Sequence, residues 1–227
     1  LAIIGDVHGH INELNRLIDQ IQRQITGDIH YIFVGDLVAK GPESQAVIQR
    51  AMQLGASCVR GNHDQRVLSS RYLLDDDASA DTRKAAMPDG LDIKREHEKL
   101  AKSLAPEALH YLAQCPLVIK LPPVYRGLVV HAGVNPVHAL EHQSPIDLMT
   151  MRNIKKNGKA VEGTDKGKAW YKVWDQAVND QTISADFRGF EKVYYGHAAG
   201  RGLKERTHSL GLDSGCVNGD QLTAVIL

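Results

Sequence analysis

The sequence of 227 residues has little cysteine, no long hydrophobic run and no excess of charge of either sign. Its three cysteines (Cys58, Cys115 and Cys216) are widely spaced and form no CxxC pair, so neither a zinc-finger site nor a disulfide framework is expected. No apolar run reaches the roughly 18 residues that a membrane-spanning helix requires. Lys plus Arg and Asp plus Glu each number 27, so bulk charge favours neither nucleic acid nor a membrane surface as a partner.

The length suits one sizeable α/β domain, which we expect to occupy residues 1–227. Strand-like apolar stretches alternate with helical spacing in the first third of the chain, which predicts a largely parallel central sheet. The polar stretch at 75–105 is interpreted as a candidate cap insertion, and the Lys- and Gly-rich stretch at 153–168 as a mobile surface loop. The chain opens at Leu1 with neither Met nor a signal peptide, so we expect a fragment whose targeting or membrane segments, if present, precede Leu1.

Five glycine-containing motifs carry the chemically active side chains. They are Gly5-Asp6-Val7-His8-Gly9, Gly35-Asp36-Leu37-Val38-Ala39-Lys40-Gly41, Gly61-Asn62-His63-Asp64, Val129-Val130-His131-Ala132-Gly133 and Tyr194-Tyr195-Gly196-His197. Each follows or ends a predicted strand, and parallel sheets bind ligands at the carboxyl ends of their strands. Taken singly, each motif is more often a turn, a helix cap or a core histidine. Their combination favours a metal site.

The side chains of these motifs predict a site for two divalent metal ions. The expected ligands are Asp6 and His8 on one metal, Asn62, His131 and His197 on the other, and Asp36 bridging the two. A bridging carboxylate offsets the repulsion between cations about 3.5–4 Å apart. Carboxylate, imidazole and amide ligands together restrict the metals without choosing among zinc, manganese, iron, cobalt and magnesium.

A phosphate-cleaving site also needs an acid and cationic contacts. His63 follows a ligand and is the candidate general acid for the leaving oxygen, while a metal-activated water attacks phosphorus. Lys40 and Arg60 are candidate phosphate contacts, and their alternative is solvated surface charge. The remaining histidines are interpreted as surface or core residues: His10, His30, His97, His110, His138, His142 and His208.

In this order, GDVHG, GDLVAKGP, RGNHD, VVHAGV and YGH resemble the calcineurin-like metallophosphoesterase superfamily over nearly the whole chain. The resemblance implies a metallophosphoesterase-type β-sandwich of two mixed sheets flanked by helices, with two metals, the ligands named above and His63 as the acid. Protein Ser/Thr phosphatases of this superfamily carry Asp-Arg-Gly where this chain has Ala39-Lys40-Gly41. The carboxylate that orients their catalytic histidine is therefore missing, which argues against a protein phosphatase.

Further motifs resemble the ApaH-like branch of the superfamily. Met151-Arg152-Asn153 and the segment from Gly211 to Cys216 resemble bacterial diadenosine tetraphosphatases, which suggests Arg152 as another phosphate contact. GDLVAKGP is similar to eukaryotic ApaH-like phosphatases, and LMTMRNI, YYGHAAGRGL and GLDSGC are most similar to the fungal vacuolar endopolyphosphatase type. The resemblance implies hydrolysis of phosphoric anhydride bonds in inorganic polyphosphate. Dinucleoside polyphosphates or an mRNA cap are the alternative substrates, and a Ser/Thr phosphatase is a further alternative.

The expected partner is thus a phosphate-rich small molecule or polymer, with no sequence-specific nucleic acid. Weak base recognition is expected, because Tyr31, Tyr194 and Tyr195 lie in predicted strands and leave no aromatic cluster for stacking beside the motifs. The resemblance implies a vacuolar location, which the residues themselves leave open, together with the oligomeric state and the choice between internal and terminal cleavage.

Overall fold

The computed structural model describes residues 1–73 and 91–227, and the first of its larger sheets has four strands. Strands β1 (Ala2–Ile4), β2 (Tyr31–Phe33) and β3 (Ser57–Cys58) run parallel, and β12 (Ala224–Ile226) pairs antiparallel with β1. β1 and β2 are buried along their whole length. Their sequences are unbroken apolar runs, because a strand covered on both faces has no solvent side.

Helices cover the outer face of this sheet. They are α1 (Ile11–Gln24), α2 (Ser44–Gln53), α3 (Asn62–Leu73), α4 (Arg95–Ser103) and α5 (Pro106–Gln114). α1 shows the reason most clearly, since Leu14, Ile18 and Ile21 recur at helical spacing on one stripe and are buried against the strands.

The second sheet has five strands in the order β10–β11–β9–β5–β4. Their bounds are β4 (Val118–Lys120), β5 (Gly127–Val130), β9 (Lys192–Tyr195), β10 (Lys204–Glu205) and β11 (Ser209–Gly211). β5, β9 and β11 are parallel, and the two edge strands run antiparallel to their neighbours. Helix α7 (Trp170–Asn179) covers the outer face, where Trp170 and Trp174 are buried in the packing face of the helix.

The two sheets pack face to face. Ile3 and Ile32 of the first sheet form one buried cluster with Val129 and Tyr194 of the second. Neighbouring residues along each strand point outward to the helices, because side chains alternate across a strand. The predicted sandwich of two mixed sheets flanked by helices is therefore confirmed.

The stretch at 153–168, interpreted from sequence as a mobile surface loop, requires correction. It contains most of a small antiparallel sheet in the order β7–β6–β8, made of β6 (Asn153–Ile154), β7 (Ala160–Val161) and β8 (Lys168–Ala169). Asn153 stabilises the turn between β7 and β8, because its side-chain amide donates to the carbonyls of Thr164 and Lys166 at 3.2 and 3.0 Å. Lys and Gly composition alone carries no sign of these long-range bonds.

The remaining short elements are helix α6 (Pro145–Thr150) and 3₁₀ turns at Leu140–His142, Ala185–Phe187, Ala199–Arg201 and Cys216–Asn218. Of the cap insertion expected at 75–105, residues 75–90 lie outside the described residues, and most of the remainder forms α4, which packs on α3. In the described parts of the chain, no helix is long and apolar enough to cross a bilayer.

A disulfide joins Cys58 at the end of β3 to Cys115 at the end of α5, although no disulfide framework was expected from the sequence. The two Cα atoms lie 5.1 Å apart, within the span that a disulfide bridges. The partners are 57 residues apart in sequence, so spacing rules for local pairs could not find them. Cys216 is free and buried.

Reduction of this disulfide should destabilise the protein by about 2–4 kcal/mol, because the bond restricts the unfolded chain across a long loop. Thermal unfolding with and without a reducing agent would measure the effect. The double variant Cys58→Ser, Cys115→Ser serves as the control and should melt at one temperature in both conditions. A wild-type melting temperature that ignores the reductant would contradict the assignment.

Candidate metal centre

The loops that follow five strands of the two sheets converge at one edge of the sandwich. Asp6 and His8 follow β1, Asp36 follows β2, Asn62 follows β3, His131 follows β5 and His197 follows β9. All six side chains are buried, and none is more than 8% exposed. The structure thus brings together every ligand expected from the sequence.

The carboxylate of Asp36 belongs to two groups of candidate ligands. In one group, ligand atoms of Asp6, His8 and Asp36 all lie within 4.8 Å of one another, and in the other the same holds for Asp36, His131 and His197. Asp36 Oδ2 lies 3.5 Å from His8 Nε2 and 3.4 Å from His131 Nε2. A carboxylate placed between two sets of imidazole ligands could be shared by two cations and would offset their repulsion.

Each histidine of the cage is held by a backbone carbonyl on the far side of its ring. The pairs are His8 Nδ1 with Val38 O at 3.1 Å, His131 Nδ1 with Val34 O at 2.8 Å and His197 Nε2 with Thr150 O at 3.1 Å. A carbonyl only accepts, so in each neutral ring the proton lies on that nitrogen. The other nitrogen, which carries the lone pair, faces the cage, as in metal-ligating histidines generally.

The carboxylate of Asp6 supplies a direct sign of a missing positive partner. Its Oδ2 accepts the backbone N–H of His197 at 3.0 Å, whereas its Oδ1 is buried with no hydrogen-bond partner. Burial, together with the nearby Asp213 carboxylate, raises the pKa of Asp6 well above its usual range. A buried oxygen without a donor is costly, and a cation in the cage would satisfy it.

Electrostatics at His131 point the same way. Burial by itself would lower the pKa of this imidazole, but the Asp36 carboxylate, together with Asp6 and the carbonyl of Val34, outweighs burial and raises the pKa to about 9. Burial would conversely raise the pKa of Asp36, which the surrounding histidines instead hold well below its usual range. The cage therefore attracts positive charge, and the residues present fit two divalent cations.

The side-chain amide of Asn62 faces the cage at one end and Arg66 at the other. The inner atom, assigned as Oδ1, lies 3.0 Å from His131 Nε2 and 3.2 Å from His197 Nδ1, and the outer atom contacts Arg66 Nη1. Amide oxygen and nitrogen are distinguished only by their partners. In the protein alone these partners favour the nitrogen inward, and a cation among them would favour the oxygen.

Asp64, which the sequence suggested could simply cap a helix, holds two ligand loops together. Its buried carboxylate accepts the backbone N–H groups of Asp36 at 2.8 Å, Leu37 at 3.0 Å and Gly61 at 3.0 Å. Burial and the charge of Asp36 raise the pKa of Asp64 to about 6. Because these bonds join the loops after β2 and β3, they fix Asp36 relative to Asn62.

Close backbone packing explains the glycines of the motifs. A Cβ at Gly61 would lie 2.2 Å from Asp36 Oδ1, and one at Gly196 would lie 1.9 Å from Asp6 Oδ1. Only glycine lets the chain pass this close to the two carboxylates. His8, Asp36 and His197 themselves have φ of 48°, 50° and 68°, a left-handed conformation that side chains of this kind adopt at strained functional sites.

The three predicted phosphate contacts occupy different positions. Lys40 Nζ lies 3.1 Å from His8 Nε2, and Arg152 Nη2 donates to the carbonyl of His197 at 3.4 Å, so both cations border the cage. Arg60 instead donates from Nη1 to Gln65 Oε1 at 3.0 Å and from Nη2 to the carbonyl of Ala113. Its guanidinium is engaged with the protein, where it joins the start of α3 to the end of α5.

The predicted acid, His63, lies beside the cage. Its backbone N–H donates to Asp36 Oδ1 at 2.9 Å, and its ring stands edge-on to that of His8 with centroids 5.1 Å apart. Burial, more than any nearby cation, lowers the pKa of His63 to about 3. On its other side, His63 Nδ1 lies 3.0 Å from Nε2 of the fully buried His97.

Sequence reasoning missed several residues at this site. His97 was assigned only to the surface or core, and Arg66 and Asp213 were not singled out at all. Arg201, which donates to the carbonyl of Arg152 at 3.0 Å, supports the loop that carries this candidate phosphate contact. Arg66 comes four residues after Asn62 on α3, so helical spacing was the available signal.

Comparisons with known proteins agree with this geometry. The profile of the calcineurin-like phosphoesterase family matches residues 1–210. The chain belongs to this family. It is therefore a metal-dependent phosphohydrolase, and the family uses two divalent metal ions.

Individual relatives of this phosphoesterase differ in substrate. The zinc-dependent endopolyphosphatase of Saccharomyces cerevisiae is 28% identical over 99% of this chain and 74% of its own length. A symmetrical bis(5'-nucleosyl)-tetraphosphatase of Coxiella burnetii is 29% identical over 99% of this chain and 87% of its own. A solved structure provisionally described as a diadenosine tetraphosphatase matches 98% of this chain and 86% of that one, with a TM-score of 0.78 and 34% identity.

Metal binding should release at least one proton per protein molecule at about pH 7. His131 carries a proton there because its pKa is raised to about 9, and it must lose the proton on Nε2 to ligate a cation. Affinity should accordingly rise with pH up to that value. Calorimetric titration with manganese in buffers of different ionisation enthalpy counts the protons. A count near zero in the wild type would contradict the assignment of His131 as a ligand.

Proposed function

We propose that this phosphohydrolase cleaves phosphoric anhydride bonds within inorganic polyphosphate. The observation that carries the proposal is that cations border the cage on several sides. Lys40 contacts His8, Arg66 contacts Asn62, and Arg152 contacts the backbone of His197. A substrate with several phosphates in a row meets a cation on either side of the bond that is cleaved, whereas a single phosphate group cannot use them all.

The yeast relative supports this choice, since its likeness covers nearly the whole of this chain and that protein is a zinc-dependent endopolyphosphatase. Zinc is the first metal to test for the same reason, and manganese and cobalt follow. The identity of the metals is part of the proposal, because carboxylate and imidazole ligands accept each of them.

The chain's own residues have distinct roles in the proposed reaction. When bound, the two cations would supply an activated water and would neutralise charge on the oxygens of the phosphoryl group that is attacked. Asp36 would be a ligand of the cations, and Lys40 and Arg152 hold the flanking phosphates in line. His63 donates a hydrogen bond to the oxygen that leaves and so stabilises the charge that develops on it.

Dinucleoside polyphosphates are a second candidate class of substrate. The solved structure with 34% identity and the Coxiella relative both favour it, and two phosphate groups flanking a cleaved anhydride would use the same cations. An mRNA cap contains the same kind of bond. A protein Ser/Thr phosphatase is disfavoured, because Ala39 stands where those enzymes have a carboxylate.

A panel of substrates tests the proposal. Purified protein with zinc, manganese or cobalt should shorten long polyphosphate on a gel, and Asp36→Asn should be inactive because both metals lose their shared ligand. Diadenosine tetraphosphate, capped RNA and a phosphoserine peptide complete the panel. Rapid hydrolysis of one of these, with polyphosphate left intact, would replace the proposed substrate.

We also propose that the protein works in an oxidising compartment outside the cytosol, such as the vacuole. The Cys58–Cys115 disulfide supports this, because structural disulfides are rare where thiol-reducing systems operate. Alkylation of protein taken rapidly from its own cells should leave both cysteines unmodified until a reductant is added. Full alkylation without reductant would contradict an oxidising location.

A further inference from the structure

The contact between His63 and His97 joins the predicted acid to a second histidine on α4. His63 Nδ1 and His97 Nε2 are 3.0 Å apart, a hydrogen-bond distance. His97 is fully buried, so water does not compete for this bond. Glu96 Oε1 lies 3.9 Å from His97 Nε2, which is too far for a hydrogen bond.

The direction of this hydrogen bond is set at the other side of the His97 ring. The backbone N–H of Lys94 points at His97 Nδ1 from 3.0 Å. A backbone N–H can only donate, so His97 Nδ1 must accept, and in the neutral ring the proton then lies on Nε2. His97 therefore donates from Nε2 to His63 Nδ1.

The same logic continues through His63. Its Nδ1 accepts, so its own proton lies on Nε2, on the side of the ring away from His97. The His63 ring lies beside the cage and is nearly perpendicular to the ring of His8, with centroids 5.1 Å apart. A chain of donors thus runs from the Lys94 backbone through His97 and His63 into the site.

The contact between His97 and His63 replaces a carboxylate partner of His63 that this chain lacks. Ala39 replaces the Asp of the Ser/Thr phosphatases, and its methyl group offers His63 nothing to bond. A carboxylate partner would accept a hydrogen bond from His63, whereas His97 donates a hydrogen bond to it. The direction of the hydrogen bond is therefore reversed. Glu96 helps to place α4 for this purpose, because its Oε2 accepts the backbone N–H of Lys40 at 3.3 Å.

The geometry points to His97 as the positioning residue of the catalytic centre, which holds His63 in the one tautomer that presents its Nε2–H to the leaving oxygen. The inference rests on the role of His63 proposed above, and it is independent of which anhydride is the substrate. A ring held as a hydrogen-bond donor suits leaving groups that need little protonation, such as a phosphate, better than the alkoxide of a serine.

The two near-isosteric variants His97→Gln and His97→Glu separate polarity from packing. Gln keeps a donor toward His63 and an acceptor toward the Lys94 backbone, whereas ionised Glu offers acceptors alone. With tripolyphosphate as the probe, kcat should fall less than about fivefold for Gln and about 10–100-fold for Glu, with KM unchanged in both. A Glu variant as active as the Gln variant would overturn the proposal.

A double-mutant cycle tests whether His97 acts through His63. His97→Ala should lower kcat about 10–100-fold in the wild type and should have no further effect in His63→Ala, because the residue that it positions is gone. Equal losses in both backgrounds would assign His97 a purely structural role. His110→Gln, an exposed histidine on the neighbouring α5, is the matched control and should leave kcat unchanged.

Nitrogen NMR of zinc-loaded wild type reads the tautomer without any substrate or variant, so it distinguishes this inference from the polyphosphate proposal. His63 should show a proton on Nε2 and His97 should show the same. A proton on Nδ1 of His63 would overturn the inference. So would three zinc ions per chain, because His63, Glu96 and His97 could then be ligands of the third.

Discussion

The site depends on one shared carboxylate, that of Asp36, placed between two sets of ligands. Its Oδ2 lies near His8 of the first sheet and His131 of the second, and its backbone is fixed by Asp64, which also holds the loop before Asn62. The carboxylates of Asp6 and Asp36 and the amide of Asn62 in one buried space would repel or remain unsatisfied without positive charge. The raised pKa of His131 and the unpartnered oxygen of Asp6 are two expressions of the same requirement.

Much of the candidate metal site could be predicted from the sequence, because the ligands lie beside glycines at the ends of predicted strands. The strand–Gly–ligand pattern at Asp6, Asp36 and His131 gives both the edge of the sheet and the chemistry of the side chain. The family's motif order added the pairing of the two sheets, which no periodicity specifies. Helix α1 was equally accessible, since its apolar stripe repeats at helical spacing.

The remainder depended on contacts between distant parts of the chain. His97 lies 34 residues from His63 in sequence, and nothing in its own neighbourhood distinguishes it from a core histidine. The Cys58–Cys115 pair is hidden for the same reason. Arg60 is the converse case, because its position beside the ligand Asn62 suggested a phosphate contact, yet its guanidinium is engaged by Gln65 and the carbonyl of Ala113.

The face-to-face packing of the sheets has a consequence for the whole molecule. Asp6, His8, Asp36 and Asn62 belong to loops of the first sheet, whereas His131 and His197 belong to loops of the second. The group of Asp36, His131 and His197 therefore draws its ligands from both sheets, so a cation bound there would join one sheet to the other. A ligand that binds only the folded form stabilises that form. A shortage of divalent cations would therefore weaken the packing of the two sheets and shorten the lifetime of the protein, in addition to removing its activity.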